Sequence, residues 1–365
     1  MKILMNPGLT GVVAAETKLS LVDGENGHLV YRGHWAKELA VHYSFEEIAY
    51  LLWYGQLPNE ISLKVFNEEL KENRYLPDFL MDIIDRLPVE MDMMSVLRTA
   101  ISALGSSTFD WQPTVNQATK LTAITPTIIS YRYRKMKGLD FIQPSQHLDH
   151  AANYLYMLTG IIPNEAHTRA LTAYMILTME HGMNASTFTA RVISSTQSDM
   201  TSAISGAIGS MKGPLHGGAP TEVVQLLNEI GTKENAESYL RNKLENKELI
   251  MGFGHRVYKT KDPRAEALRT VTSQLAGSDT WLDLAYHVEN TAIKLLEEYK
   301  PGRKLYTNVE FYAAAVLRAV GMPAELFTPT FTVSRIVGWT AHVIEQGENN
   351  KIFRPESAYV GSMPE

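Results

Sequence analysis

Apart from one short segment, this chain carries no strand pattern, and that limits its fold more than any other feature. The exception, "ETKLSLVDGENGHLVYRG", alternates apolar and polar residues on both sides of Asp23-Gly-Glu-Asn-Gly27 and reads as a small hairpin. Downstream, apolar residues recur at helical spacing in "YSFEEIAYLLWYG", "DMMSVLRTAISALG", "QATKLTAITPTIISYRYRKM" and "EAHTRALTAYMILTMEHGMNASTFTARVISS". Ser44 and Glu47 stand as a capping box before the apolar face of Ile48, Leu51 and Leu52, and Gly55 stops that helix. Pro126 is expected to kink or divide its helix. No strand–helix–strand alternation is present, which argues against a nucleotide-binding parallel sheet. The fold class is all-α, with one small N-terminal hairpin.

A chain of 365 residues can hold two or three domains or one large α-rich body. Hydrophobic residues at 45% and charged ones at 20% are enough for a sizeable core. In "TSAISGAIGSMKGPLHGGAP" small side chains at three- and four-residue spacing let helices approach closely, in a packed interior or a subunit interface. From 219 to 320 charge density rises and helices shorten. That divides the chain into a large domain of residues 1–218 and 321–365 and a smaller domain of 219–320.

A net charge of −6 without a basic block gives nucleic acid no electrostatic footprint. No apolar run approaches the roughly 18 residues that span a bilayer. Before Asn6-Pro7 only Lys2 and "ILM" stand where a signal peptide would need a longer apolar region. Cysteine is absent, which removes disulfides and thiol nucleophiles and fits a cytoplasmic protein.

The densest chemistry is in "MGFGHRVYKTKDPRAEALR" (251–269). It lacks the GxxxxGK[ST] of a phosphate loop and the third glycine of a dinucleotide fingerprint. Asp262 can cap the following helix and Pro263 suits its first position. Arg264 then lies in the first turn, where free N–H groups already favour an anion, so a carboxylate or phosphate pocket is indicated. Taken alone, His255 is equally well an ordinary loop residue. His216, in "KGPLHGGAP", sits between a helix ending before Pro214 and one starting near Pro220, with Gly217 and Gly218 permitting close approach of a ligand. His181, in "MEHGMNASTF", is followed by Asn184 and Ser186. For both, a structural histidine is the plainer reading of the isolated motif. No two of these histidines share a helical turn, and His147-x-x-His150 has no third ligand, so a metal site is not expected. Glu310 starts an Ala-rich helix after the basic turn of Arg303 and Lys304, a position that the helix dipole alone would favour. Arg335 lies in an apolar helix, where an unpaired charge is costly, and Arg354 stands in the tail.

Together, "MEHGMNASTF", "GPLHGGAP", "GFGHRVYKTKDPRA", "YTNVEFYAA" and "VSRIVGW" resemble the citrate synthase family in order and approximate spacing. "DGENGHLVYRG", "SFEEIAYLLWYG" and "LRTAISALG" extend the resemblance over essentially the whole chain, which looks like the compact bacterial forms, in particular the minor enzyme of bacilli. The resemblance implies a homodimer of two-domain helical subunits that joins acetyl-CoA to oxaloacetate and hydrolyses citryl-CoA, with no cofactor. Carried over by motif, His216 would hold the thioester carbonyl, Glu310 would take the methyl proton and His255 would polarise the ketone. His181, Arg264 and Arg335 would bind oxaloacetate carboxylates, with Arg354 reaching in from the partner subunit. Lys259, Arg303 and Lys304 would meet CoA phosphates. One departure stands out: the family usually has aspartate in "NVD", and this chain has Glu310 in "NVE". Alternatives are a 2-methylcitrate synthase using propionyl-CoA and a non-catalytic CoA- or dicarboxylate-binding regulator.

Overall fold

The computed structural model describes residues 6–217, 219–254, 257–273, 280–303 and 305–364, and only the backbone of 219–221. The hairpin segment forms β1 (Ser20–Asp23) and β2 (His28–Tyr31), antiparallel, with Ser20 opposite Tyr31 and Asp23 opposite His28. A third strand, β3 (His34–Trp35), extends the sheet. It turns through Arg32 and Gly33, both at positive φ (46° and 89°), as a tight hairpin turn requires. An arginine at the first of these positions is a poor turn signal, which is why the sequence pattern shows two strands and not three.

Five helices follow: α1 (Ala36–His42), α2 (Phe45–Tyr54), α3 (Glu60–Glu72), α4 (Asp78–Arg86) and α5 (Met93–Ala103). Next come α6 (Val115–Met136), α7 (His150–Thr159), α8 (Glu165–Met179), α9 (Ala185–Ser195) and α10 (Met200–Met211). The rest are α11 (Pro214–Gly217), α12 (Ala219–Ile230), α13 (Lys233–Glu245), α14 (Pro263–Thr272), α15 (Thr280–Tyr299), α16 (Val309–Ala319) and α17 (Phe327–Glu348).

The capping box of Ser44 and Glu47 is formed, and Gly55 ends α2 in the left-handed conformation. Pro126 does not divide its helix: α6 runs unbroken through it. Tertiary burial on every side of residues 117–130 outweighs the one ladder bond that the proline removes. The segment 219–320 also differs from expectation, because α15 is 20 residues long.

Two helices make the centre. The second half of α8 and nearly all of α17 are buried around their whole circumference, as expected of core helices. α17 packs on α6, α8, α9 and α10. The small-residue stripe of α10 lies against α9, and a Cβ at Gly206 would come within 2.2 Å of Ile193 Cδ1. α12 to α16 pack mainly on one another and meet the rest chiefly through α14 and α16 on α8 and through α14 on α1, with smaller contacts of α14 on β2 and α12 on α11. The hairpin turn docks there too. A Cβ at Gly24 would fall 2.2 Å from the Val257 carbonyl oxygen, and Lys259 N donates to Gly24 O at 2.8 Å. The one sheet among the described residues therefore holds the loop that precedes Arg264.

Candidate active site

The chemistry-bearing residues sit on five segments that converge between α8, α14, α16 and α17. At the end of α8 the chain turns through Glu180, His181 and Gly182. Glu180 is fully buried, and its Oε1 accepts from Ser20 Oγ (2.9 Å), His342 Nε2 (3.2 Å) and Gly182 N (2.5 Å). Arg191 donates to His342 Nδ1 at 2.9 Å, so that nitrogen accepts and Nε2 carries the proton toward Glu180. This buried chain of bonds fixes the turn that presents His181.

Asn184 caps α9, its Oδ1 accepting from Thr187 N. Ser186, in the first turn, lies at a junction. Trp339 Nε1 donates to its Oγ at 2.9 Å, while Asn184 Oδ1 and His216 Nε2 lie 2.8 and 2.7 Å away. The hydroxyl has one proton, so it donates either to Asn184 or to His216. Burial, helped by the charge of Arg335, pushes the His216 pKa down to about 4, and the ring is neutral at pH 7. A proton from Ser186 to Nε2 leaves the imidazole with N–H at Nδ1, free to act as a donor.

His216 is not in an open loop between two helices. Pro214–Gly217 forms a helical turn of its own, α11. The freedom of Gly217 serves packing and not a ligand, since a Cβ there would meet Met211 O at 2.3 Å and Thr328 Cγ2 at 2.8 Å. The same correction holds for the glycine loop. Gly252 and Gly254 have φ of 89° and 78°, and their missing Cβ atoms make room for Phe311 and Leu305 of the protein itself. Gly218, His255 and Lys304 lie outside the described residues.

Asp262 caps α14 as expected, with Pro263 and Arg264 in its first turn. The rest of its role is not visible in the sequence. Its carboxylate takes Arg264 Nε at 3.0 Å and Nη2 at 2.9 Å, and also accepts from Val309 N at 3.0 Å. Arg264 is buried. Desolvation opposes its charge, but Asp262 more than restores it, so its pKa is raised. Asn308 caps α16 by accepting from Glu310 N at 3.0 Å, and its Nδ2 donates to Gly254 O at 2.9 Å. The glycine loop, α14 and α16 are thereby tied at their ends.

Two aromatic rings, also unforeseen, join the site. Tyr258 OH lies 3.1 Å from His181 Nε2, and the Arg264 guanidinium sits 5.5 Å from the Tyr258 ring centre. Phe331 packs edge-on to His216, with ring centres 6.4 Å apart, and lies 4.8 Å beneath Arg335. Arg335 is buried and donates from Nε to Thr178 O at 2.6 Å; burial pulls its pKa down. Glu310 is partly buried. Burial raises its pKa, against the pull of Arg264 and Arg335, and Asp262 adds to the rise. It therefore lies in the field of both arginines.

The structure thus brings together His181, His216, Arg264, Glu310 and Arg335. Lys259 and Arg303 are exposed. Arg354 is not in the cluster: it is exposed and lines a cavity of about 840 Å³ with Phe188, Arg191 and Glu345.

Chemically, buried guanidinium groups can hold a small polyanion, a neutral imidazole can donate to an oxygen gaining charge, and a carboxylate of raised pKa can take a proton. Such a set of groups, in a mostly helical frame, is that of an enzyme equipped for acid–base chemistry beside an anionic substrate. The chain belongs to the citrate synthase family: the model described as "Citrate synthase, C-terminal domain" matches residues 8–356. Citrate synthase 2 of Bacillus subtilis is 40% identical over 363 residues, covering 97% of this chain and 95% of its own. The 2-methylcitrate synthase of Shewanella oneidensis is 41% identical over 368 residues, covering 100% and 96%. The crystal structure of the Thermotoga maritima citrate synthase superposes with a TM-score of 0.87 at 40% identity, covering 99% of this chain and 97% of that one. The Thermoplasma acidophilum citrate synthase, solved as a ternary complex with carboxymethyl coenzyme A and oxaloacetate, gives 0.91 at 30% identity with the same coverage.

Proposed function

We propose that this protein is a citrate synthase that condenses acetyl-CoA with oxaloacetate and hydrolyses the citryl-CoA formed to citrate and CoA. The observation that supports the reading is the Phe331 ring between two proposed site residues, with its centre 6.4 Å from that of His216 and 4.8 Å from the buried Arg335 guanidinium, whose charge also bears on Glu310. Glu310 takes a proton from the acetyl methyl while His216, with Ser186 donating to its Nε2, stabilises the enol oxygen through Nδ1–H. The methyl carbon then bonds to the ketone carbon of oxaloacetate, whose oxygen takes a proton from His255. Arg264, Arg335 and His181 hold the oxaloacetate carboxylates, and Arg354 of the partner subunit completes that set. Lys259, Arg303 and Lys304 meet CoA phosphates. Water finally cleaves the thioester.

This reading includes a homodimer, a small domain of 219–320 that closes over the substrates, and no resident cofactor, the CoA thioester being a substrate. The exposed apolar tail residues Ile352, Tyr359 and Val360 support an intersubunit role for the C-terminus. We place the enzyme in the cytoplasm, in the tricarboxylic acid cycle. A second reading, 2-methylcitrate synthase, is favoured by the full-length similarity to the Shewanella oneidensis protein. One methylene in an acyl pocket is worth only about 1–3 kcal/mol, so the two activities differ by little structure. The test is CoA release on mixing oxaloacetate with acetyl-CoA, and its loss in His216→Ala. Normal binding of both substrates without release of CoA would instead support a non-catalytic regulator.

A further inference from the structure

We propose that Glu289, on α15 and outside the substrate site, is a positioning residue that sets the orientation of Glu310; the inference rests on reading Glu310 as the base. Glu289 is only 4% exposed, and an isolated carboxylate there would be costly. Two hydroxyls compensate. Thr307 Oγ1 donates to Oε1 at 2.7 Å and Tyr312 OH donates to Oε2 at 2.5 Å, while Arg269 Nε lies 3.6 Å from Oε2. Hydrogen bonds from hydroxyls to a carboxylate are short and about twice as strong as neutral ones. Burial and Glu289 itself raise the Tyr312 pKa, so the phenol remains a donor.

The location of the two donors gives the carboxylate its effect. Thr307 directly precedes the Asn308 cap, and Tyr312 follows Glu310 on α16. One carboxylate therefore grips the chain on both sides of Glu310 and opposes rotation of the first turn of α16. Thr307 also bridges antiparallel to Phe253, so the same grip reaches the glycine loop. Glutamate has one more rotatable bond than aspartate, and a base on a longer arm depends more on the stillness of the turn that carries it. None of Glu289, Thr307 and Tyr312 is among the proposed substrate ligands.

The experiment uses the full chain with Thr307→Val, Thr307→Ser, Tyr312→Phe and Glu310→Ala, recording kcat, KM for each substrate, and Tm. A misplacement near 1 Å costs about 100-fold, so Thr307→Val and Tyr312→Phe should each lower kcat roughly 10- to 100-fold. KM for oxaloacetate should stay within about twofold, the signature of a transition-state effect. Thr307→Ser, which keeps the hydroxyl, should restore kcat, and the double variant should lose less than the product of the single losses. A lower Tm with kcat intact would overturn the proposal and leave Glu289 a structural residue. If Glu310→Ala retains wild-type kcat, the reading of Glu310 as base fails, and the positioning role fails with it. If Glu310→Ala is inactive while Thr307→Val is normal, only the positioning role fails.

Discussion

Glu310 stands where the family usually has aspartate, one methylene farther from its helix. The extra carbon moves the carboxylate by up to about 1.5 Å, enough to matter unless the surroundings accommodate it. Asn308 holds the Glu310 N–H, and the charges of Arg264 and Arg335 act on the acid against its burial. Glu310→Asp should therefore lower kcat about 10- to 100-fold; an increase would show the longer side chain to be a handicap. The raised pKa has a consequence in the same assay. A base must be ionised, so kcat should decline as pH falls through a value above the usual 4.5 of a glutamate. An acid limb at or below 4.5 would contradict the burial that sets this shift.

Between elements, Asp262 is the residue with most to hold. It caps α14, pairs with buried Arg264 and accepts from Val309 N of α16. Removing one partner of a buried ion pair costs about 3–5 kcal/mol. Asp262→Asn should lower stability by that order and raise KM for oxaloacetate, both measurable by thermal unfolding and initial rates. Its capping role was legible, since Asp-Pro-Arg is a helix start with a mechanism. Its pairing with Arg264 was not, because a two-residue separation in sequence does not say which way a guanidinium folds. Tyr258, Phe331 and Trp339 escaped notice for another reason: an aromatic at helical or loop spacing reads as core, and only the tertiary fold shows which histidine or arginine it touches. Likewise the glycines of 252–254 announced a special backbone without revealing that the space serves Phe311 and Leu305.

α7 carries a second titration effect. His150, its first residue, is 1% exposed, stacks on Phe45 with ring centres 4.2 Å apart, and has its pKa pushed down to about 3 by burial and Arg74. The unfolded chain takes up a proton near pH 6.5 that the folded state refuses. Stability is therefore lost as pH falls below 6.5, at up to about 1.4 kcal/mol per pH unit from this group. Neighbouring Glu46, raised by burial and Asp149, acts in the opposite direction as pH falls through its own raised pKa. His150→Phe should flatten the stability profile between pH 6.5 and 5, as read by denaturant melts; an unchanged slope would place the titration elsewhere.

At the scale of the whole molecule, Arg354 lies apart from the residues it is proposed to serve, and the proposed homodimer would resolve the separation. His216→Ala and Arg354→Ala should each be nearly inactive alone. Mixed and allowed to exchange subunits, they should regain up to about a quarter of wild-type activity, because a hybrid dimer holds one intact site. No recovery despite exchange would mean that Arg354 acts within its own chain or not at all. The helical class and the family were legible because the motifs are local and their order is characteristic. The choice of acyl group was not, since the lining of an acyl pocket is assembled by tertiary structure.

That choice is also the most direct test of the function assigned here: kcat/KM for CoA release with oxaloacetate, measured in parallel with acetyl-CoA and propionyl-CoA. A preference for acetyl-CoA of tenfold or more is expected. Preference for propionyl-CoA would make the enzyme a 2-methylcitrate synthase, and release of CoA from neither substrate would contradict a condensing enzyme altogether.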